Sequence, residues 1–174
     1  ILEFIEAAKE IKKNEKFNVC FSVIGSIDNQ NSSSITYDEY LNFKNMKILK
    51  FLEEKRNIKK YLSKTDCVVL PSYREGLPRV LLESSAMSLP AITTNVPGCR
   101  EVIKDGYNGF LCKARNKNSL IKAIYNFLKL NYKKRLIMGK NSRKKAETYF
   151  NEIIVFERYK KIINQLQKWI KIKF

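Results

Sequence analysis

Short apolar runs alternate with helical patterns along the first two thirds of this chain, and that alternation restricts the fold more than its other features do. The run at 66–72 has the continuous apolar character of a parallel strand that is covered on both faces, and we expect it to be the central strand. Strands separated by helices form βαβ units, so the pattern predicts an α/β fold with a doubly wound parallel sheet. The predicted strands are 17–24, 46–52, 66–72, 91–94 and 109–112, and the predicted helices are 1–13, 57–64, 78–88 and 100–104. The polar stretch 28–34 predicts an exposed loop.

The end of the chain follows a different pattern. From residue 118 the apolar spacing is helical, and the last predicted helix covers 151–174. With 174 residues, the chain is long enough for one domain with its own core. We therefore divide it into an α/β domain at 1–150 and a basic amphipathic helix at 151–174. Its apolar runs fall far short of the roughly 20 residues that span a bilayer, so we expect no transmembrane helix.

Positive charge is concentrated in the last third of the chain, and the formal net charge is +17. Residues 1–112 carry 16 basic and 14 acidic side chains, whereas residues 113–174 carry 18 basic and three acidic ones. Such asymmetry is typical of a protein with an anionic partner, and a membrane surface and a nucleic acid are both candidates. A set of solvated helix faces is the alternative that needs no partner.

The residue types exclude some chemistry. Histidine is absent, so this segment alone builds neither a Ser-His-Asp triad nor a histidine-ligated metal site. The four cysteines, Cys20, Cys67, Cys99 and Cys112, form no CxxC pair. This spacing favours buried, reduced thiols in a cytosolic protein over disulfides.

The loop after the strand at 66–72 has the features of a phosphate-binding site. In an open parallel sheet, ligands bind beyond the carboxyl ends of the strands, and this loop leaves such an end. Pro78 suits the first position of a helix, and Gly76 allows a tight approach by the backbone. The free amides of Arg79 and Val80 would then point out of a helix N-terminus, which attracts phosphate.

Two carboxylates, Glu75 and Glu83, flank this helix start. Glu75 precedes the helix and Glu83 lies more than one turn inside it, so the two can contact one bound molecule from different sides. Carboxylates at such positions accept hydrogen bonds from ligand hydroxyls, as the acidic residue of dinucleotide-binding folds does with a ribose. Spacing alone leaves a second interpretation open, in which Glu75 is a loop charge and Glu83 is a surface residue of the helix.

An ordered set of short motifs follows this loop. Seven residues separate Glu75 from Glu83, and then come Pro90-Ala91-Ile92, a predicted turn at Pro97-Gly98, Glu101 and the turn Asp105-Gly106-Tyr107-Asn108-Gly109. The set resembles the C-terminal half of a family 4 glycosyltransferase (glycosyl transferases group 1) of GT-B fold. The resemblance is strong over 66–112, weaker but continuous over 1–65, and mostly architectural after 113. It implies a Rossmann-like domain at 1–150 that binds a nucleotide-sugar donor, followed by C-terminal helices.

The resemblance also implies roles for single residues. Glu75 would be the catalytic carboxylate near the donor sugar, and Glu83 would accept the ribose hydroxyls of the nucleotide. Leu52 would lie at the nucleobase; Glu53 replaces the glycine that usually follows, and Ser88 likewise stands where the family commonly has glycine. The backbone that would bind donor-sugar hydroxyls and pyrophosphate belongs to Gly76, Leu77, Pro78, Arg79 and Val80.

The implied activity is transfer of a sugar from a nucleotide-diphosphate sugar, with a UDP-linked donor, to a glycan or lipid-linked acceptor. The sugar would be a hexose or an N-acetylhexosamine, transferred with retention of configuration in the synthesis of surface polysaccharide or glycoconjugates. Members usually require no metal, so we expect neither a metal nor another cofactor. The alternatives are a catalytically inactive sugar-nucleotide-binding domain and a basic nucleic-acid-binding module. We expect no nucleic-acid partner, because the ordered motifs have no role in one.

Two parts of such an enzyme are missing from this chain. It begins at Ile1 without an initiator methionine, and we interpret it as a fragment. Family members hold the diphosphate with an arginine and a lysine just before the helix at 1–13, and they bind the acceptor in a separate N-terminal domain. We expect that domain to be a partner of this fragment, which alone would be inactive.

The last predicted helix carries an apolar stripe beside several lysines. Val155, Tyr159, Ile162, Leu166 and Trp169 recur at spacings of four and three. The stripe suits packing on the other domain of a GT-B enzyme, whereas the lysines suit an anionic membrane surface that carries a lipid-linked acceptor. We expect a cytoplasmic protein that associates peripherally with the cytoplasmic face of the inner membrane.

Overall fold

The computed structural model describes residues 1–14, 16–27, 30, 34–52 and 57–173, with side chains as far as Trp169. Strands and helices alternate through the first part of this chain, and three helices complete it. The strands are β1 (Phe21–Ile24), β2 (Leu49–Leu52), β3 (Val68–Leu70), β4 (Ala91–Thr94) and β5 (Gly109–Cys112). The helices are α1 (Leu2–Lys13), α2 (Tyr37–Asn45), α3 (Lys59–Leu62), α4 (Arg79–Ala86), α5 (Pro97–Val102), α6 (Lys117–Leu128), α7 (Tyr132–Tyr149) and α8 (Glu152–Lys173).

The strands pair in parallel, as expected for strands connected by helices. β1 pairs with β2 so that Phe21 lies opposite Leu49. β4 pairs with β3 on one side and with β5 on the other, which makes β4 the middle strand of that sheet. The prediction that the strand at 66–72 is central is therefore wrong. Among the described strands β3 pairs with β4 alone and its residues are half-buried, whereas all four residues of β4 are buried.

Helices cover both faces of the sheet, and β4 shows this most directly. Neighbouring residues of a strand point to opposite faces. Ile92 packs in a core with the apolar side of α1 and α6, whereas Ala91 packs in a second core with Leu81 of α4 and Val102 of α5. The first core also holds Phe21 of β1, so it contacts both the β1–β2 pair and the three-stranded group β3–β4–β5. The doubly wound α/β architecture is confirmed.

Helix α2 was not predicted. Thr36 begins it with a capping box, in which the Glu39 amide donates to the Thr36 hydroxyl (3.2 Å) and the Thr36 amide donates to the Glu39 carboxylate (2.8 Å). None of its nine residues is buried, so it lacks the apolar periodicity that reveals a core helix. The loop predicted at 28–34 lies mostly outside the described residues.

Other boundaries differ from the predictions for local reasons. β1 begins at Phe21 and not at 17. Phe17 lies ahead of the strand and packs against Tyr125 of α6, with ring centres 5.8 Å apart. α5 begins at Pro97, so Pro97 and Gly98 open a helix and do not form the predicted turn.

The expectation of buried thiols is wrong for Cys20, which is exposed ahead of β1.

The two long helices after α6 differ in their surroundings. α7 packs closely on the end of α4, since a Cβ at Gly139 would lie 2.2 Å from the Ser88 carbonyl oxygen. The Ser142 hydroxyl of α7 donates to the Asn108 carbonyl (3.0 Å). In the described part of α8, Ile154 is half-buried and the other large apolar side chains are at least half exposed; they are Ile153, Val155, Phe156, Tyr159, Ile162, Ile163, Leu166 and Trp169. Within the described chain, no helix combines the length and apolar character needed to cross a bilayer.

Candidate functional site

The carboxyl ends of β3, β4 and β5 share one edge of their sheet because the strands are parallel. The loop after β3 carries Tyr73, whose hydroxyl donates a hydrogen bond to Glu3 near the start of α1. The guanidinium of Arg115, in the loop after β5, lies 4.8 Å from the centre of the Tyr73 ring, within the range of a cation–π contact. The loop after β3 is therefore held between α1 and the loop after β5.

The contact between Glu3 and Tyr73 shifts the pKa of both side chains. Burial alone would raise the pKa of the Glu3 carboxyl, but the hydrogen bond from Tyr73, with smaller effects that include the charge of Arg115, lowers that pKa below its usual value. The same hydrogen bond raises the pKa of the Tyr73 hydroxyl. The ionised carboxylate and the neutral phenol are thus the stable pair at neutral pH.

Helix α4 begins one residue later than predicted. Pro78 has extended backbone angles (φ −71°, ψ 117°) and caps the helix, and Arg79 is the first helical residue. The amides of Leu81 and Leu82 donate to the Pro78 carbonyl (3.1 and 3.3 Å). The amides of Arg79 and Val80 precede these bonds and lie at the open end of the helix, where backbone dipoles favour an anion.

The two predicted carboxylates have different surroundings. Glu75 is half-buried in the loop, and the Ser72 hydroxyl donates to its Oε1 across 2.6 Å. Glu83 lies in the second turn of α4, with one oxygen 3.6 Å from the guanidinium of Arg79. That ion pair is weak, because the Arg79 side chain is 90% exposed and water screens the charges. A ligand that binds Glu83 would therefore displace only the weak ion pair with Arg79.

A glycine at the start of α5 sets how close this helix comes to the loop. A Cβ at Gly98 would lie 2.0 Å from the Gly76 carbonyl oxygen and 2.7 Å from that of Glu75. Only a glycine at 98 allows this approach. Gly76 differs, since a Cβ there would meet no atom within 4 Å, and its φ lies outside the left-handed region. The fold of the described residues therefore does not require glycine at 76.

The end of β4 fixes the beginning of the loop. The buried hydroxyl of Thr94 donates to the Ser72 carbonyl, and that of Thr93 donates to the Leu70 carbonyl (2.8 Å). The Thr93 bond lies within the paired strands, whereas the Thr94 bond continues the pairing past Leu70, the last residue of β3. The position of Ser72, and with it the path towards Glu75, is thus set by the middle strand of the sheet.

The sequence profile of the family described as "Glycosyl transferases group 1" matches residues 1–145. The chain belongs to this family. As a group 1 glycosyltransferase sequence, it spans less than half the length of the curated relatives it matches.

Two relatives illustrate the similarity. The N,N'-diacetylbacillosaminyl-diphospho-undecaprenol alpha-1,3-N-acetylgalactosaminyltransferase of Campylobacter jejuni is 32% identical over 97% of this chain and 42% of its own length. The UDP-Gal:alpha-D-GlcNAc-diphosphoundecaprenol alpha-1,3-galactosyltransferase of Escherichia coli is 34% identical over 86% of this chain and 38% of its own length.

The fold is shared with solved glycosyltransferase structures. HepE of Anabaena, crystallised in complex with UDP, superposes with a TM-score of 0.79 at 18% identity, covering 94% of this chain and 44% of the HepE chain. Similarity at this identity shows the fold: this group 1 glycosyltransferase chain has the architecture of the C-terminal part of a GT-B enzyme.

The structure places most of the predicted site residues in one continuous segment of this glycosyltransferase chain. Leu77 is 47% exposed on the loop, Pro78 is buried at the helix cap, and Val80 is half-buried. Leu52 belongs to the other pair of strands; it ends β2, and its carbonyl accepts a hydrogen bond from the Gly25 amide (3.2 Å). The predicted departure at Glu53 lies outside the described residues.

The Asp-Gly-x-Asn-Gly motif of the family has a structural role here. Asn108 is fully buried; its side chain accepts from the Lys104 amide (2.7 Å) and donates to the Val102 carbonyl (3.1 Å). Asp105 accepts a hydrogen bond from the Leu111 amide (2.8 Å). A Cβ at Gly109 would lie 1.9 Å from the Ala91 carbonyl oxygen. These residues join α5 and β5 to β4.

Several residues that shape the site were missed from the sequence. Ser72 and Thr94 act through backbone and carboxylate contacts that no periodicity reveals. Gly98 was noted only as part of a Pro-Gly turn, although a proline followed by glycine also suits a helix start that approaches another backbone.

Within the described residues, no group of three or more histidine, cysteine, aspartate or glutamate side chains is arranged to hold a metal ion.

Proposed function

We propose that this chain is the donor-binding half of a retaining glycosyltransferase that moves a sugar from a nucleotide-diphosphate sugar to a glycan or lipid-linked acceptor. One observation carries the proposal. The open N-terminus of α4 directly follows the loop that bears Glu75, and Glu83 lies one turn into the same helix. A helix N-terminus suits a diphosphate, and the carboxylates suit the hydroxyls of the sugar and ribose on either side of it.

Gly76 supports this assignment by its surroundings. Neither its backbone conformation nor the packing of the described residues requires a glycine. A glycine in such a place is expected where a ligand approaches the backbone closely. We propose that the donor sugar occupies the open space beside Gly76, at the end of the loop next to the first amides of α4.

The proposed roles follow the chain. Glu75 binds the transferring sugar as the catalytic carboxylate, and Glu83 accepts the ribose hydroxyls. Leu52 lies at the nucleobase, next to Phe51, which packs edge-on against Tyr40 of α2 at 5.2 Å between ring centres. Backbone groups bind the sugar hydroxyls and pyrophosphate; they belong to Gly76, Leu77, Pro78, Arg79 and Val80.

The mechanism that suits these groups depends on position and charge. As the bond from the sugar to the diphosphate breaks, negative charge grows on the departing phosphate oxygen. The fixed amides of Arg79 and Val80 stabilise that charge without having to reorganise. Glu75 orients the sugar so that the acceptor hydroxyl attacks its anomeric carbon on the face from which the diphosphate leaves, and the hydroxyl proton passes to the departing phosphate oxygen. We propose that neither a metal nor another cofactor is needed.

The donor and acceptor classes are proposed from the relatives. The Escherichia coli relative is named for UDP-galactose, and both relatives for acceptors linked to undecaprenyl diphosphate. We propose a UDP-linked hexose or N-acetylhexosamine as donor and a lipid-linked acceptor in the synthesis of surface polysaccharide. The protein would then work at the cytoplasmic face of the inner membrane, where its basic last third meets anionic lipid.

The two segments of the chain would have different roles. We propose that residues 1–150 are the donor-binding domain and that, within 151–174, the apolar stripe of α8 packs on an N-terminal acceptor domain. The family resemblance places the acceptor site in that domain and the cations for the diphosphate just before the helix at 1–13, so we propose that this chain alone lacks transferase activity.

Substitution of the two carboxylates in the full-length transferase tests the function. We expect Glu75→Gln to reduce kcat by about 100-fold with little change in UDP affinity, because it removes a group that acts on the sugar. We expect Glu83→Gln to weaken UDP binding about tenfold, because the ribose loses a charge-assisted hydrogen bond. Transfer is measured with radiolabelled donor, and UDP binding by calorimetry.

Glu147→Gln is the matched control, since Glu147 is an exposed carboxylate of α7 that pairs with an arginine four residues before it, as Glu83 does. Normal turnover and normal UDP affinity in both site variants would contradict the proposal. UDP binding without any transfer would favour a catalytically inactive binding domain. Tighter binding of single-stranded RNA than of UDP or GDP, measured in the same calorimeter, would favour a nucleic-acid module.

A further inference from the structure

We infer that Ser72 is a positioning residue for the catalytic carboxylate Glu75, and that Thr94 positions Ser72. The inference rests on the proposed role of Glu75 and adds what holds that side chain in place. Three links form the chain from the middle strand of the sheet to the carboxylate: Thr94 to Ser72, the Ser72 backbone to its side chain, and Ser72 to Glu75.

The link between Ser72 and Glu75 is short and directional. The Ser72 hydroxyl donates to Oε1 across 2.6 Å, the length expected when a hydroxyl donates to a charged carboxylate. A serine hydroxyl has one proton, so this bond uses its whole donor capacity. The bond fixes the direction of Oε1 and leaves Oε2, together with the remaining lone pair of Oε1, to accept from a sugar hydroxyl.

The link between Thr94 and Ser72 joins the loop to the rigid part of the fold. Thr94 is 1% exposed at the end of β4, and its hydroxyl donates to the Ser72 carbonyl. Gly98, four residues further along, brings the start of α5 against the carbonyl groups of Glu75 and Gly76. The backbone on both sides of the Glu75 side chain is thus held by the segment from β4 to α5.

This arrangement supplies orientation, which a half-exposed glutamate on a loop otherwise lacks. A glutamate side chain has three rotatable bonds, and fixing one oxygen before the donor arrives removes that ordering cost from the reaction. The nucleotide is held elsewhere, by Glu83 and the start of α4. Loss of the Ser72 hydroxyl should therefore affect kcat and leave UDP affinity unchanged.

The test is a double-mutant cycle in the full-length transferase. We expect Ser72→Ala to lower kcat about tenfold, as loss of one hydrogen bond to a charged group would, with UDP affinity within twofold of wild type. Ser72→Thr keeps the hydroxyl and should restore most of the rate. In a Glu75→Gln background, Ser72→Ala should cause less than a twofold further loss, because the two groups act as one unit.

A neighbouring pair of threonines provides a matched control. Thr93 and Thr94 are both buried at the end of β4, and each hydroxyl donates to a backbone carbonyl, that of Leu70 or of Ser72. We expect Thr94→Val to lower kcat several-fold and Thr93→Val to leave kcat unchanged. Thermal unfolding of the two threonine variants shows whether they lose equal stability. If neither variant folds, the effect of Ser72→Ala on kcat tests the inference.

The outcomes separate this inference from the proposed function. If Glu75→Gln lowers transfer but Ser72→Ala does not, the positioning role is wrong and the site assignment stands. If Ser72→Ala reduces the rate equally in the wild-type and Glu75→Gln backgrounds, Ser72 acts independently of Glu75 and the inference is also wrong. If Glu75→Gln itself has no effect, the proposed site fails first.

Discussion

Two glycines of the candidate site, Gly76 and Gly98, differ in their surroundings. At Gly98 an added Cβ would overlap the loop backbone 2.0 Å away, so the fold itself needs the glycine. At Gly76 the same atom would enter open space. Alanine substitutions at these two positions therefore distinguish an effect on stability from an effect on ligand binding.

We expect Gly98→Ala to lower the free energy of unfolding by about 1–3 kcal/mol, because two backbone segments must move apart. We expect Gly76→Ala to change it by less than about 0.5 kcal/mol and yet to abolish binding of a nucleotide sugar, since the methyl group occupies donor space. Chemical denaturation and donor titration measure the two effects. Unimpaired donor binding by the Gly76 variant would contradict the placement of the sugar.

At the scale of elements, the end of α4 explains one departure from the family. Ser88 adopts φ +60°, in the left-handed region, just after the helix. The Leu89 amide donates back to the Ser84 carbonyl (2.9 Å), as in a helix end that usually has glycine at this position. The chain tolerates a strained serine where glycine would be relaxed.

Replacement of this serine should stabilise the protein. We expect Ser88→Gly to raise the free energy of unfolding by about 1 kcal/mol, because a side chain in the left-handed region costs that order of energy. Ser63→Gly is the control: Ser63 ends α3 at φ −64°, so glycine there relieves no strain. It adds freedom in the unfolded state and removes the hydrogen bond from the Ser63 hydroxyl to the Lys60 carbonyl (3.0 Å), so stability should fall. Thermal unfolding compares the two, and equal shifts in Tm would refute the explanation.

The elements also show what the sequence predicts and what it does not. Apolar patterns located β4 and β5 to the residue, because both strands are bounded by clear turn residues. The Glu-x7-Glu spacing predicted that both carboxylates lie at one helix start. Strand order was not predictable in this way: an apolar run shows that β3 is covered but not that β4 lies between β3 and β5. Helix α2 was not predicted, because its sequence signal is a capping box alone.

At the scale of the whole molecule, charge divides the chain into a near-neutral part and a strongly basic one. α7 contributes an exposed row of lysines at helical spacing, Lys133, Lys140 and Lys144, next to exposed Leu136 and Ile137. Lysines beside aliphatic groups suit the interface of an anionic membrane. This row is the part of the basic region that we expect to contribute most to membrane binding.

Charge reversal tests that expectation. We expect the full-length protein to float with vesicles of anionic lipid at low salt and to be released at about 0.5 M salt, where screening is strong. Lys133→Glu, Lys140→Glu and Lys144→Glu together should weaken low-salt binding more than 100-fold, at about 1 kcal/mol for each lysine lost. The control reverses the same number of charges at Lys59, Lys60 and Lys64. Equal losses in both variants, or no flotation of the wild type, would argue against this surface.

Burial of Asn108 also bears on chemical ageing. An asparagine followed by glycine is the pair most prone to deamidation, because the backbone nitrogen of the glycine can swing round and attack the side-chain carbonyl carbon. Here both atoms of the amide are engaged and Gly109 is the first residue of a strand, so that swing is blocked. The native fold thus protects a labile peptide link, and old preparations should accumulate the resulting aspartate only in molecules that have already unfolded.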